Sequence, residues 1–540
     1  MTPLSGSDRI HDRRWLTLAV LCVSLLVIVL DNTIVNVALP TLVRDLGTSI
    51  TDLQWVVDAY TLVFAGLLLT MGSLGDRFGR QGALSIGLAI FGLASAAAAF
   101  AGGVTPLILA RGVMGVGAAL IMPATLSILI NVFTEARERA LAIGIWSAVA
   151  GLAVALGPVA GGFLLERFWW GSVFLVNVPI VVIALVAGKF LVPTSRNPNQ
   201  PPIDRVGALL SIVGLGALVA SIIEAPTRGW TAPLILAGFA LALGSLAGFV
   251  LWELRSRAPM LDVRFFSNPR FTAASLTISI TFFALFGFIF LATQYLQFVL
   301  GYSAFEAGLR TLPFAAALMV MAPLSSKAVE RFGTKRIVVL GMLVFASGLV
   351  VASTSTVTSG FAPVGLAMVL MGAGMGFASA PATESIMGSL PKEHAGVGSA
   401  VNDTSREVGG ALGVAVLGSL LTSLYTSQLN AKLPASVPAQ AREVAESSVG
   451  AAIEVSNRLG ATGAPLAGLA REAFVYAMVR GAMVTAAVAL FGALLAWRFL
   501  PARAVSPDAN ADALDADALD AGAFARRARE GDLDLGLAEA

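Results

Sequence analysis

The chain has 540 residues, of which 57% are hydrophobic and 13% charged, with a formal net charge of +2. Soluble domains carry nearer 25% charged residues, so the composition excludes a cytosolic enzyme, a disordered chain and a nucleic-acid binder. A bilayer-crossing helix needs about 20 mostly apolar residues, and the length holds many such runs, so the expected class is an all-α polytopic membrane protein.

Apolar runs bounded by charge, Pro or Gly predict fourteen membrane spans. They fall at residues 15–37, 52–71, 81–101, 105–130, 140–165, 172–192, 206–223, 231–252, 271–299, 307–324, 335–353, 362–387, 404–424 and 473–499. The first follows Arg9, Arg13 and Arg14, but it is too long for a signal peptide and runs into Asp31-Asn32-Thr33 without a small-residue cleavage site, so it reads as an uncleaved helix. Most Lys and Arg of the short loops fall on the side of the amino terminus. The positive-inside rule makes that side cytoplasmic and places both termini there.

Between spans 2 and 3, Asp76-Arg77-Phe78-Gly79 matches Glu330-Arg331-Phe332-Gly333 between spans 10 and 11, at a constant offset of 254 residues. A repeat after the second helix of each half predicts two six-helix bundles with two linker helices inserted between them. The expected domains are 1–200, the first bundle; 201–258, the linker with helices 7 and 8; and 259–500, the second bundle. Within the last, residues 425–470 form a long outer segment with an amphipathic stretch from Ala439 to Leu459, expected as a surface cap. Residues 501–540 are Ala- and Asp-rich and expected to be a disordered cytoplasmic tail.

Several chemistries have no residues to support them. Cys22 is the only cysteine, and His11 and His394 lie far apart, so neither a disulfide within the chain nor a metal site is expected. The one Gly-Lys pair, Gly188-Lys189, precedes Phe190, so no phosphate loop is present and no ATP-driven pump is expected. No catalytic residue and no cofactor is expected.

The loop Gly72-Ser-Leu-Gly-Asp76-Arg77-Phe-Gly79-Arg80 has glycine for close approach and a tight turn, and an acid placed to meet a helix end or an arginine. It is similar to the signature loop of the major facilitator superfamily. Three further segments resemble motifs of its fourteen-helix drug:proton antiporters, the QacA- and EmrB-like multidrug exporters. These are Leu30-Asp31-Asn-Thr-Ile-Val-Asn-Val-Ala-Leu-Pro40 in helix 1, Leu109-Ala-Arg111-Gly-Val-Met-Gly-Val-Gly117 in helix 4, and Gly157-Pro158-Val-Ala-Gly161-Gly162 in helix 5. Trp55-Val-Val-Asp58-Ala-Tyr60 and Ile223-Glu224-Ala-Pro226 also resemble these exporters. The resemblance covers residues 15–500. It implies the major facilitator fold, a bacterial inner-membrane location, proton-driven export of drugs, and no enzymatic activity.

The intramembrane charges can be read without the family. A charge at the centre of a membrane helix costs about 2.5–3.5 kcal/mol on insertion scales, so each needs a partner, water or a neutral state. Asp31 lies about 24 Å along helix 1, and Asp58 and Arg111 each about 9 Å into their helices from outside, all at similar depth. We expect Asp31 to carry the exchanged proton, Asp58 to supply negative charge for a cationic substrate and share in coupling, and Arg111 to tune both. The alternative is a buried ion pair that fixes helices 1, 2 and 4. Glu407 and Glu224 are further candidates for cation binding. Trp55, Tyr60 and Met114, with Phe64 and Met122, are candidates for an adaptable apolar pocket. Gly157, Pro158, Gly161 and Gly162 are expected to seal the cavity and slide against the opposite half.

The expected function is a proton-coupled antiporter that exports lipophilic, cationic drugs or antibiotics by alternating access. The expected partners are drug, protons and lipid, without ATP or nucleic acid. Two alternatives stand beside it: export of a dedicated metabolite or self-made antibiotic, and a non-transporting membrane sensor.

Overall fold

Lipid offers the backbone no hydrogen-bond partner, so a spanning segment must satisfy its own amides, and a helix does so within one segment. The computed structural model describes residues 6–195, 204–390, 395–434, 437–459 and 464–502, and among them it is helical throughout, without strands. The first six long helices are α1 (Gly6–Leu46), α2 (Ile50–Phe78), α3 (Arg80–Ala99), α4 (Val104–Val132), α5 (Ala136–Arg167) and α6 (Asn177–Leu191). Next come α7 (Arg205–Arg228) and α8 (Pro233–Arg255). The last six are α9 (Pro269–Gln294), α10 (Leu312–Phe332), α11 (Thr334–Ala352), α12 (Ala362–Met387), α13 (Ala395–Lys432) and α14 (Ala464–Phe499). Thirteen stretches among the described residues are long and apolar enough to cross a membrane. The remaining long helix, α2, has 29 residues and packs against α4 and α13. The chain is a multi-pass membrane protein. Leu93, Leu243 and Phe190 are 70% exposed or more, an apolar outer surface that suits lipid and not water.

Local chemistry sets the helix ends. α2 starts at a capping box: Ser49 Oγ accepts from the Asp52 amide at 3.1 Å while Asp52 Oδ2 accepts from the Ser49 amide at 2.9 Å. Gly79 (φ +129°) and Gly333 (φ +84°) separate α2 from α3 and α10 from α11 in a single residue. Side chains rarely adopt that backbone conformation, so both turns need glycine. Three predicted elements differ in detail. Span 6 is broken into Ser172–Leu175 and α6, because Pro179 has no amide to return to the preceding turn. Span 10 is likewise a short helix, Ala304–Leu309, followed by α10 with Pro313 in its first turn. The amphipathic stretch is two helices, Ala439–Ser447 and Val449–Leu459, separated by Ser448 in extended backbone (φ −169°, ψ 159°). The predicted tail beyond residue 502 lies outside the described residues.

The pattern of helix contacts repeats. In the first half α1 packs on α4, α5 and α6, and α4 on α2 and α3, with α3 on α6; the same pairs recur eight helices later as α9 with α12, α13 and α14, α12 with α10 and α11, and α11 with α14. The two bundles meet where α2 faces α13 and α5 faces α10, and α7 lies across the α2–α13 seam with α8 behind it.

Candidate functional site

A cavity of about 560 Å³ lies between the bundles, walled by α1, α2, α4 and α5 from one and α9, α10, α12 and α13 from the other. It runs from Pro158, Thr311 and Met368 to Met387, Ser399 and Asn402, toward the end that carries the amino terminus. Its wall is mostly apolar, with aromatic and thioether side chains such as Phe64, Trp146, Phe286, Met122, Met371 and Met375 among aliphatic ones. Met368, Met371 and Met375 recur on one face of α12, as i, i+3 and i+7 spacing requires.

Five polar residues of α13 line this apolar space: Ser399, Asn402, Asp403, Arg406 and Glu407. Arg406 pairs with Asp403 at 3.9 Å, and its Nη2 donates to Thr383 Oγ1 at 3.4 Å. Glu407 is therefore not held by its neighbour in sequence, and its Oε2 is buried without a partner.

Beside the cavity, within the first bundle, lies a dry charge cluster. Asp31 and Arg111 are both fully buried, with Arg111 Nη1 donating to Asp31 Oδ2 at 2.5 Å. Arg111 Nε donates to the Val56 carbonyl at 3.0 Å, and its guanidinium stands 4.4 Å from the centre of the Tyr60 ring. Asn177, at the start of α6, donates to Asp31 Oδ1 at 2.9 Å and to Ser95 Oγ on α3 at 3.1 Å. Each carboxylate oxygen thus has one donor, as a charge inside a low-dielectric core needs.

The structure separates Asp58 from this cluster, contrary to the expectation drawn from depth alone. Asp58 is fully buried and neither of its oxygens has a partner. It follows Gln54 by one helical turn on α2, and Gln54 faces α13, where its Nε2 donates to the Ala415 carbonyl at 2.9 Å. Equal depth does not bring two side chains together when their helices present different faces.

Of the residues expected to bind substrate, Glu407 lines the cavity, as do Phe64 and Met122, whereas Asp58, Glu224, Trp55, Tyr60 and Met114 do not. Glu224 holds Arg228 at 2.7 Å and accepts from Trp55 Nε1 at 3.1 Å, which ties α7 to α2. Tyr60 lies under Arg111, and Met114 is fully buried inside the bundle. Asn177 and Ser95 belong to none of the motifs in the sequence that mark the other site residues. The available signal was an amide inside a predicted span, where a buried polar group needs a partner.

The glycines of α5 divide between two neighbours. Gly157 lies against Thr33 and Gly161 against Ile34, both on α1, while Gly162 lies against the Ala304–Phe305 backbone of the other half. Gly308 in turn approaches the Pro158 carbonyl. With Gln297 Nε2 donating to the Val37 carbonyl at 3.0 Å and Gln54 on Ala415, these contacts close the end away from the amino terminus. The stretch expected as a loop from Gly72 is helical to Phe78, as the end of α2, and there Gly72 lies against Pro123. Arg77 stands over Phe78 at 5.6 Å, a pairing repeated by Arg331 over Phe332 at 5.4 Å. The Arg80 amide donates to the Ser195 carbonyl at 3.0 Å. The Asp76 side chain lies outside the described residues.

Comparison with known proteins agrees with this architecture. The chain is 40% identical over 488 residues to the multidrug efflux pump LfrA of Mycolicibacterium smegmatis, covering 90% of this chain and 96% of that one. It is 36% identical to the tetracenomycin C resistance and export protein of Streptomyces glaucescens, covering 77% of each. It is 35% identical to the methyl viologen resistance protein SmvA of Salmonella typhimurium, covering 86% and 94%. Among solved structures, a bacterial homolog of the human lysosomal transporter Spinster, inward-facing and unoccupied, matches with a TM-score of 0.64 at 20% identity over 92% of this chain and 99% of that one. The xylose transporter XylE of E. coli, inward open, matches with 0.54 at 14% identity over 90% and 95%. The model of the Major Facilitator Superfamily matches residues 21–414, and the chain belongs to that family of transporters.

Proposed function

We propose that this protein exports lipophilic, cationic drugs across the bacterial inner membrane in exchange for protons, with both termini in the cytoplasm. The observation that carries the reading is the cavity: a large apolar wall set with aromatic and thioether side chains, and one carboxylate oxygen, Glu407 Oε2, left without a partner inside it. Soft and aromatic side chains adapt to varied apolar bodies and attract cations, and the free carboxylate oxygen favours positive charge. The names of the relatives, which include multidrug efflux and methyl viologen resistance, support the same substrate class.

In this reading the cavity takes the drug from the cytoplasmic side while the opposite end is shut. A proton reaching Asp31 neutralises it and leaves Arg111 charged, with the Val56 carbonyl and the Tyr60 ring still beside it. That change falls on α1, α2 and α4 together. Asp58, unpartnered between α2 and α13, is a second acid that a parting of those helices would wet. The energies are of matching size. Each hydrogen bond in the closed end contributes about 0.5–1.5 kcal/mol net, and one proton moving down a membrane potential supplies about 2.3 kcal/mol per 100 mV. One proton thus offsets one to a few of these hydrogen bonds.

Everted vesicles test the proposal. Uptake of methyl viologen is expected when a proton gradient is imposed, to stop when it is collapsed, and to be indifferent to ATP once the gradient is clamped. Uptake that persists without a gradient overturns proton coupling. The identity with a tetracenomycin C resistance and export protein favours a second reading, export of one dedicated antibiotic, which predicts transport of one such compound and none of methyl viologen.

A further inference from the structure

Asn177 is fully buried, and its Nδ2 uses both protons, one toward Asp31 Oδ1 at 2.9 Å and one toward Ser95 Oγ at 3.1 Å. The Ser95 hydroxyl donates onward to the Phe174 carbonyl at 2.8 Å. A carboxylate only accepts, so while Asp31 is ionised the amide nitrogen must face it. The amide oxygen, Asn177 Oδ1, is then a buried acceptor with no partner, an arrangement that costs stability.

A carboxylic acid has the opposite need. Once Asp31 takes a proton on Oδ1, its O–H requires an acceptor. Arg111 has only donors, and Asn177 supplies the acceptor in reach. A half-turn of the amide about its Cβ–Cγ bond puts Oδ1 where Nδ2 stood. The Asp31 O–H then donates to it, and the Ser95 hydroxyl turns from Phe174 to donate to it as well. Arg111 remains on Asp31 Oδ2, now a carbonyl oxygen. One proton has entered from water, no other covalent bond has changed, and the cluster has gone from neutral to a single positive charge on Arg111.

We propose that Asn177 is the switching partner of Asp31, donating to its carboxylate and, after a half-turn, accepting from its carboxylic acid, with Ser95 following. The inference rests on Asp31 as the proton carrier and deepens that reading. Asn177 is a positioning residue: it does not line the cavity, and it acts through Asp31. The charged and titratable groups that face Asp31 are Arg111 from α4 and, beneath it, Tyr60 from α2. From α6 the group that faces it is the neutral amide, with the Ser95 hydroxyl of α3 behind; α5 brings Gly157 and Gly161 against α1 and α9 an apolar wall. Each Asp31 carboxyl oxygen keeps a partner in both protonation states with little heavy-atom movement, so α3 and α6 need not repack when the proton binds. The mechanical consequence falls instead on the helices that hold Arg111.

Infrared difference spectra of the full chain in lipid vesicles across a pH series read the Asp31 carboxylic acid directly, its band being assigned by its loss in Asp31→Asn. The expected wild-type result is one band titrating in one step. Asn177→Leu is expected to displace that band, because the acid loses its acceptor. Asn177→Asp is expected to replace one step by two, about one pH unit or more apart, since two touching carboxyls share the first proton. An unmoved band in Asn177→Leu, or a single step in Asn177→Asp, overturns the inference while leaving Asp31 as the carrier. A spectrum in which Asp31→Asn removes no band overturns the reading of Asp31 itself. Should Asn177→Leu not fold, the near-isosteric Asn177→Asp decides alone.

Discussion

Asp31 and Arg111 form the one fully buried ion pair among the described residues. Removing one member of a buried pair costs about 3–5 kcal/mol through the charge left behind. Asn keeps the shape and one acceptor of Asp, so Asp31→Asn is expected to reach the membrane at normal levels yet lose gradient-driven export at least tenfold. Arg111→Ala exposes the carboxylate to a dry core and is expected to lower the amount of folded protein as well, read by yield of monodisperse protein in detergent. Glu407 sits differently, in the cavity wall with Oε2 free. Glu407→Gln removes charge but little volume, so it is expected to weaken export of dications such as methyl viologen about tenfold or more and that of uncharged apolar drugs by less than threefold, measured as the shift in inhibitory concentration. Equal losses for both classes would contradict a role in cation binding.

At the scale of elements, α5 packs on both halves. Its glycines contact α1 within its own bundle and the Ala304–Leu309 helix of the other. Small residues let helices approach closely in lipid, where dispersion and shape drive association. Gly162→Leu puts a side chain into the Ala304–Phe305 backbone, and overpacking of this sort costs about 1–3 kcal/mol. Because the cost falls only on the state closed at that end, the variant is expected to insert normally, favour the state open there, and lose transport about tenfold; a normal rate would remove α5 from the gate. The α2–α3 and α10–α11 turns repeat one backbone solution, a glycine at positive φ after an Arg-Phe pair. That recurrence was legible in the sequence because a turn is a local problem.

For the whole molecule, alternating access predicts that contacts at the shut end must break in every cycle. Gln54 of α2 lies against Gly418 of α13. With Cys22 replaced by Ser, a pair of cysteines introduced as Gln54→Cys and Gly418→Cys is expected to be bridged by a short bifunctional thiol reagent, and bridging is expected to abolish export reversibly with a cleavable reagent. Undiminished export in bridged protein would mean that the two bundles do not part there. By itself the sequence determined the fourteen apolar segments, the repeat across two halves and the family, because hydrophobic length, turn glycines and loop charge act over a few residues at a time. It also gave the depth of each intramembrane charge, since helical rise is constant. Only the tertiary structure decided that Asp31 meets Arg111 and Asn177, that Asp58 is buried without a partner, and that Glu407 and not Trp55 or Glu224 reaches the cavity. Depth along a helix follows from counting, whereas the direction a side chain faces, and the helix it meets there, depends on how all fourteen helices pack.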